Sequence, residues 1–216
     1  ALTSHGGIAA VERQIMDTLT SEAVLHLPTY TNEGRIQCWR LFSLALVQAV
    51  LRRWPAGSVH AHFASKGSTI RKIILTRVLA RRGYPIVLHC HGGGYEAFWS
   101  NMGATGKRRV RDWLRRASRM VVLGEAWRGF FVSTIGVESR RIVVLRNPVD
   151  WPREIPARVD NRGMTFCFLG GLKREKGAFD LLEAFARLPR SSRGSSRVVL
   201  AGTGDVHGLR QKASGL

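Results

Sequence analysis

Between Phe166 and Leu188 two glycines, Gly170 and Gly171, are followed by Lys173, Arg174 and Lys176 and then by Gly177. The apolar run Met164 to Leu169 has the length and flanks of a strand. The glycine pair lets the backbone turn at its carboxyl end. From Phe179 onward Leu182, Phe185, Ala186 and Leu188 recur at helical spacing. A strand-to-helix turn of this kind gathers backbone N–H groups and a helix N-terminus at one spot, which suits a phosphate, and the three cations stand at that spot.

A second concentration of chemistry lies in two histidine pairs, His60-Ala-His62 and His89-Cys-His91. Each sits at the end of an expected strand, where side chains two apart share a face. In doubly wound folds the carboxyl ends of parallel strands form the ligand crevice. Several histidines there could hold zinc and activate a water for hydrolysis. No Asp, Glu or Cys stands beside either pair at metal-ligand spacing, so the sequence assigns no metal and no cofactor. The other reading is a set of hydrogen-bonded core histidines, His60 and His89 lying further inside.

The elements that must position these groups alternate as strand and helix, which argues for a parallel α/β sheet. Helices are expected over Ile8–Thr20, Arg35–Trp54, Thr69–Arg82, Lys107–Ser118 and Trp127–Thr134. Strands are expected over Ala23–Leu27, Ser58–Phe63, Ile86–Cys90, Met120–Leu123 and Arg141–Leu145. His91-Gly-Gly-Gly-Tyr95 reads as a loop. Pro148, Pro152 and Pro156 then block both helix and sheet, marking a boundary. The expected organisation is an N-terminal domain over 1–150, a linker over 151–163 and the start of a second domain over 164–216. In that last part, strands Met164–Leu169 and Arg197–Ala201 flank one helix, and Ser191–Ser196 reads as a flexible loop. One βαβ unit closes no sheet, and the chain reads as a piece of a longer protein.

With 216 residues, 44% hydrophobic, the chain can bury a core, and 23 glycines suit an α/β fold with many turns. Lys and Arg outnumber Asp and Glu by 34 to 15, a net charge of +19 that calls for an anionic partner. Cys38, Cys90 and Cys167 each sit in an apolar run, as buried thiols in a reducing compartment do. The longest uncharged apolar run, Leu41–Leu51, has 11 residues. A bilayer span needs roughly 20. The expected location is cytoplasmic, peripheral at the inner face of the plasma membrane.

The loop from Gly170 to Gly177 resembles the Gly-(Arg/Gly)-Leu-x-x-x-Lys-Gly loop that opens the second domain of family 4 glycosyltransferases. Other stretches follow in the family's order. Ser4-His5-Gly6-Gly7 resembles its first glycine loop, and Val59–Lys72 followed by Val87–Gly94 resembles the first domain of members that build capsular or exopolysaccharide units. Asn147-Pro-Val-Asp150 resembles its hinge, and Gly202-Thr-Gly-Asp205 its later Gly-x-Gly turn. Two positions depart from the pattern: Gly171 stands where many members carry arginine, and Gly124 where serine is common.

The resemblance implies a GT-B fold, with a Rossmann-like N-terminal domain and the start of a second Rossmann-like domain. It also implies sugar transfer from a nucleoside-diphosphate sugar to a lipid-linked or oligosaccharide acceptor, with retention at the anomeric carbon. Gly6, Gly7, Gly170, Gly171, Lys173, Lys176, Gly177, Gly202 and Gly204 would bind the donor's diphosphate and nucleotide. His91 would be the catalytic-site residue that orients the sugar, and His62, Ser65, Lys66 and Arg71 would face the acceptor cleft. With cations and amides neutralising the leaving diphosphate, no metal is required. The family's Glu-x7-Glu pair lies beyond the last residues of this chain, so the 216 residues alone are expected to be inactive.

Charge is densest over Lys107–Arg119, where Val110, Trp113, Leu114 and Ala117 form an apolar stripe flanked by arginines. Trp39, Leu41, Phe42 and Trp54 add aromatic and apolar residues beside Arg40, Arg52 and Arg53. Basic amphipathic helices of this type lie on anionic membranes. The competing account is that the stripes face the core and the arginines are simply solvated. Nucleic-acid binding is the rival from another class, since a pI near 11.5 suits it. No recognition module accompanies that charge, so no specific nucleic acid is expected. A degenerate, non-catalytic role is the remaining alternative.

Overall fold

Runs of β-branched and apolar residues form four short parallel strands, β1 (Val59–Phe63), β2 (Ile86–Cys90), β3 (Arg119–Val122) and β4 (Ile142–Val144), in the spatial order β1-β2-β3-β4. The computed structural model describes residues 7–19, 24–31, 33–149, 152, 154 and 163–215. The chain divides into two units, Ala1–Asp150 and Trp151–Leu216. Parallel strands require crossovers. Here α3 (Gly67–Arg81) joins β1 to β2, and α4 (Tyr95–Ser100) and α5 (Ala104–Arg116) join β2 to β3. Then α6 (Glu125–Phe130) and the π-helical turn Phe131–Ile135 lead to β4. Ahead of the sheet stand α1 (Gly7–Thr18) and α2 (Arg35–Leu51). The result is a Rossmann-like α/β unit.

The register decides what each sheet face carries. Ala61 pairs with Leu88, Phe63 with Cys90, Leu88 with Met120 and Met120 with Ile142. All of these are buried, and with Leu75, Leu79, Trp113 and Leu114 from α3 and α5 they build the main core. A hydrogen bond from Trp113 Nε1 to Thr76 Oγ1, at 2.9 Å, satisfies the indole inside that core. The opposite face carries His60, His62 and His89, because His62 pairs directly with His89 and side chains two apart share a face. The same strands thus bury their odd-numbered β1 residues in the core and turn their histidines the other way.

The second unit holds β5 (Thr165–Leu169) paired in parallel with β6 (Arg197–Ala201). They are linked by α7 (Ala178–Ala186) and α8 (Arg190–Gly194) and followed by α9 (Val206–Ser214). Its small core is Leu172, Ala178, Phe179, Leu182 and Leu209.

Several expectations need correction. Val24–Leu27 is not a strand; Ala23 lies outside the described residues. The segment that follows is anchored by side chains instead of a ladder. Thr29 Oγ1 accepts from Lys72 Nζ at 2.6 Å, and the Thr31 carbonyl accepts from the Cys38 thiol at 2.9 Å. After the glycines at 92–94, α4 begins at Tyr95 where a loop was expected, because Tyr95 and Trp99, one helical turn apart, both reach the core. Within Ser191–Ser196 the chain is helical as far as Gly194, tied back by Arg193 Nη1 donating to the Ala186 carbonyl at 2.9 Å. Of the three cysteines only Cys90 is buried; Cys38 is half-buried and Cys167 exposed on the outer side of β5. His60 is exposed as well, since β1 turns it to the open end of the histidine face.

The stripe of α5, Val110, Trp113, Leu114 and Ala117, is buried, so that helix turns its apolar side to the core and its arginines to solvent. The exposed apolar surface lies on α2 instead, where Ile36, Trp39, Leu44, Val47, Val50 and Leu51 all face outward. Among the described residues no helix is long and apolar enough to cross a membrane.

Candidate functional site

Four imidazoles stack on the face of β1 and β2 opposite the main core. Ring centroids lie 4.5 Å apart for His60 and His62, 4.9 Å for His62 and His89, and 4.3 Å for His89 and His91. Two nitrogen contacts cross between the strands, His60 Nε2 to His89 Nδ1 at 3.2 Å and His62 Nδ1 to His91 Nε2 at 2.7 Å. His62, expected in the acceptor cleft, and His91, expected at the sugar, are therefore in direct contact. Burial pushes all four pKa values down, because a charged imidazole loses its hydration there. His62 falls to about 2, with the neighbouring histidines adding to the effect, His89 to about 3 and His91 to about 4. All four rings are neutral at physiological pH, and in each contact the ring that donates its N–H keeps a lone pair on its other nitrogen.

Charged groups on neighbouring elements complete the surroundings. Glu12 of α1 lies 3.7 Å from His26 Nε2. Burial alone would raise its pKa, but the His26 hydrogen bond and the Lys72 charge outweigh that and hold it below the ordinary carboxylate range. Lys72 on α3 is pushed down to about 8 by burial, against the opposing pull of Glu12. Sequence reasoning singled out neither Glu12 nor the Thr29 hydroxyl that Lys72 donates to. An acid in a chain so short of acids was the available signal for Glu12.

The loop from β1 into α3 holds Ser65, Lys66 and Arg71. Lys66 caps α3 with φ +58° and ψ −128°, a conformation that a residue with a Cβ adopts only where its surroundings impose it. The imposing contacts are Ala64 N–H donating to Ser68 Oγ at 3.1 Å and Thr69 Oγ1 donating to the Ala64 carbonyl at 2.7 Å. Arg71 lies over the Tyr30 ring at 5.4 Å and has its Nε buried with no hydrogen-bond partner. It opens onto a cavity of about 440 Å³ lined also by Tyr30, Thr31, Arg35, Trp39 and Gly67. Gly7 is the exposed first residue of α1, and Gly6 lies outside the described residues.

In the second unit, the remaining expected residues form one structure. Leu172 N–H donates to the Thr203 carbonyl and Asp205 N–H to the Leu172 carbonyl, both at 2.9 Å, so the turn after β5 and the turn after β6 interlock. Gly202 and Gly204 serve that interlock: a Cβ on Gly202 would lie 1.7 Å from the Gly170 carbonyl oxygen. Gly177, at φ +85°, turns the chain from the Arg174–Lys176 turn into α7. The first amides of that helix, on Ala178, Phe179 and Asp180, have no partner within the helix. Lys173 and Lys176 are exposed beside them, and Arg174 is held over the Phe179 ring at 4.5 Å. The arrangement supplies cations and amides to an anion, and a Cβ at Gly171 would meet nothing within 4 Å.

The model of glycosyltransferase family 4 matches residues 9–151, a stretch that takes in the whole four-stranded sheet and its histidine face. The chain belongs to glycosyltransferase family 4. Among curated proteins no match to it was found. For this glycosyltransferase the matched stretch holds His62, His91 and Arg71, while the cation loop at 170–177 lies outside it.

Proposed function

We propose that this glycosyltransferase moves a hexosyl group from a nucleoside-diphosphate sugar to a lipid-linked saccharide, in the synthesis of a surface polysaccharide. The observation that carries the donor class is the loop of the second unit. Lys173, Lys176 and the first amides of α7 stand together on a backbone that the glycine interlock holds fixed. In the transfer, the bond from the anomeric carbon to the diphosphate oxygen breaks and a bond to the acceptor oxygen forms on the same face of the sugar. Charge builds on the departing diphosphate, whose oxygen takes up the proton that the acceptor hydroxyl loses. Lys176 and the α7 amides neutralise that charge, an interaction strongest in the transition state. No metal is required for this step.

His91 orients the sugar. Its Nε2 is engaged with His62, so its Nδ1 is the ring atom left for a sugar hydroxyl. Ser65, Lys66 and Arg71 take the acceptor's polar end. The enzyme works in the cytoplasm at the membrane surface, drawn there by its charge of +19 and by the exposed apolar side of α2.

Calorimetric titration with a panel of nucleoside diphosphates and the matching nucleosides tests the donor class. One diphosphate should bind, its nucleoside should bind far more weakly, and Lys176→Ala should weaken the diphosphate by about tenfold, as loss of one charge-assisted contact does. A chain that binds every nucleoside as well as its diphosphate, or a Lys176→Ala variant with unchanged affinity, contradicts the reading.

A further inference from the structure

We propose that His60, His62 and His89 bind a late first-row divalent cation, zinc foremost, with His91 as the outer partner that fixes the ring of His62. The backbone places the three side chains: β1 and β2 are adjacent, His62 stands directly opposite His89, and His60 precedes His62 by two on the same face. Each offers one ring nitrogen, and the three nitrogens lie within 4.8 Å of one another.

A tetrahedral zinc about 2.0–2.1 Å from each nitrogen keeps neighbouring ligand atoms roughly 3.4 Å apart. His60 Nε2 and His89 Nδ1, 3.2 Å apart, already stand at that separation, and a small ring rotation brings His62 in.

The fourth imidazole has a different geometry. His62 Nδ1 and His91 Nε2, at 2.7 Å, are too close to share an ion and well placed for a hydrogen bond. With the proton on His62 Nδ1, donated to His91, the lone pair of His62 is on Nε2. Ligating histidines are held in this way by a hydrogen bond from their other nitrogen.

His89 is 1% exposed, and its Nε2 is buried without a hydrogen-bond partner. Coordination through Nδ1 places the ring proton on that Nε2, so the metal–nitrogen bond fixes the tautomer of His89.

The donor set is nitrogen only, which selects zinc, cobalt, nickel or copper over magnesium or calcium. Exposure of His60 leaves a route for the ion and a fourth position for water. Glu12, whose charge acts on both His60 and His91, is the carboxylate that answers the added positive charge. The site stands whether or not the sugar-transfer reading is right.

Cobalt(II) is the probe, titrated into the metal-free full chain while the visible d–d absorption is followed. One ion per chain with the intense bands of a tetrahedral nitrogen site, displaced by one equivalent of zinc, is the expected result. His60→Gln, at an exposed position, should weaken binding by about tenfold or more, and His207→Gln on α9 should leave it unchanged. Absence of the bands, an affinity indifferent to His60→Gln, or a thiolate-to-cobalt band that assigns the ion to a cysteine overturns the proposal. Should His60→Gln fail to fold, nitrogen-15 spectra of the unaltered chain decide. Zinc must shift the ring nitrogens of His60, His62 and His89, and shifts confined to His26 or His207 overturn the proposal.

Discussion

Acid should unfold the first unit of the metal-free chain well before its carboxylates are protonated, because the histidine stack must take up protons to unfold. His62, His89 and His91 have folded pKa values of about 2, 3 and 4 against 6.5 for an unperturbed imidazole. Their pKa values are depressed in the folded state, so the unfolded state binds more protons below pH 6.5. The stability they contribute is complete above 6.5 and declines as pH falls toward the folded values. At pH 5.5 each contributes a loss of about 1.4 kcal/mol, so the three together cost about 4 kcal/mol. A domain has roughly 5–15 kcal/mol in all. Exposed His60 is left out of that sum. Glu12, with its pKa held low, titrates below this window, and Lys72, at about 8, is mostly protonated at pH 7 and wholly so by pH 5.5. Urea unfolding followed by tryptophan fluorescence, with a chelator present, reads the first unit through buried Trp99 and Trp113. The midpoint should fall steeply between pH 7 and pH 5.5, and most of that fall should vanish when His62 and His89 are both glutamine. An equal midpoint at the two pH values refutes the reasoning, as does a fall of full size in the double variant.

Gly202→Ala should destabilise the second unit by about 3 kcal/mol, the cost of a strained backbone plus the broken interlock. Amide exchange at Leu172 and Asp205 should accelerate accordingly, and unchanged exchange would show that the two turns are not locked. Vesicles of anionic lipid should retain the chain in sedimentation more strongly than neutral vesicles at the same ionic strength. Trp39→Ser, on the exposed side of α2, should weaken that retention several-fold without lowering thermal stability. Retention equal for both lipids, or a preference for DNA over vesicles at equal salt, would return the charge to the nucleic-acid reading.

Most of the architecture was legible because short apolar runs alternate with helical periodicity, and the strands expected at 59–63, 86–90 and 197–201 form as read. The errors came where tertiary contacts decide. Ala23–Leu27 was expected as a strand, but Val24–Leu27 joins no ladder, and the chain just after it is tied at Thr29 and Thr31 to Lys72 and Cys38, partners that no periodicity reveals. Tyr95–Ser100 follows three glycines, and only the core's claim on Tyr95 and Trp99 makes it helical. For the histidines, spacing within each pair was visible, but the convergence of both pairs depends on strand register. That register sets His62 beside His89 and leaves His60 exposed. Gly202 and Gly204, expected to meet a nucleotide, are demanded first by the backbone they touch.

Amide exchange across the whole chain with a nucleoside diphosphate tests the central claim most directly. Peptides covering Gly170 to Asp180 should gain protection as diphosphate is added, and Lys176→Ala should shift that gain to about tenfold higher ligand concentration. Protection confined to the arginine-rich surface of α5, equal for any polyanion and untouched by Lys176→Ala, would contradict the assignment of the loop to a nucleotide-sugar donor.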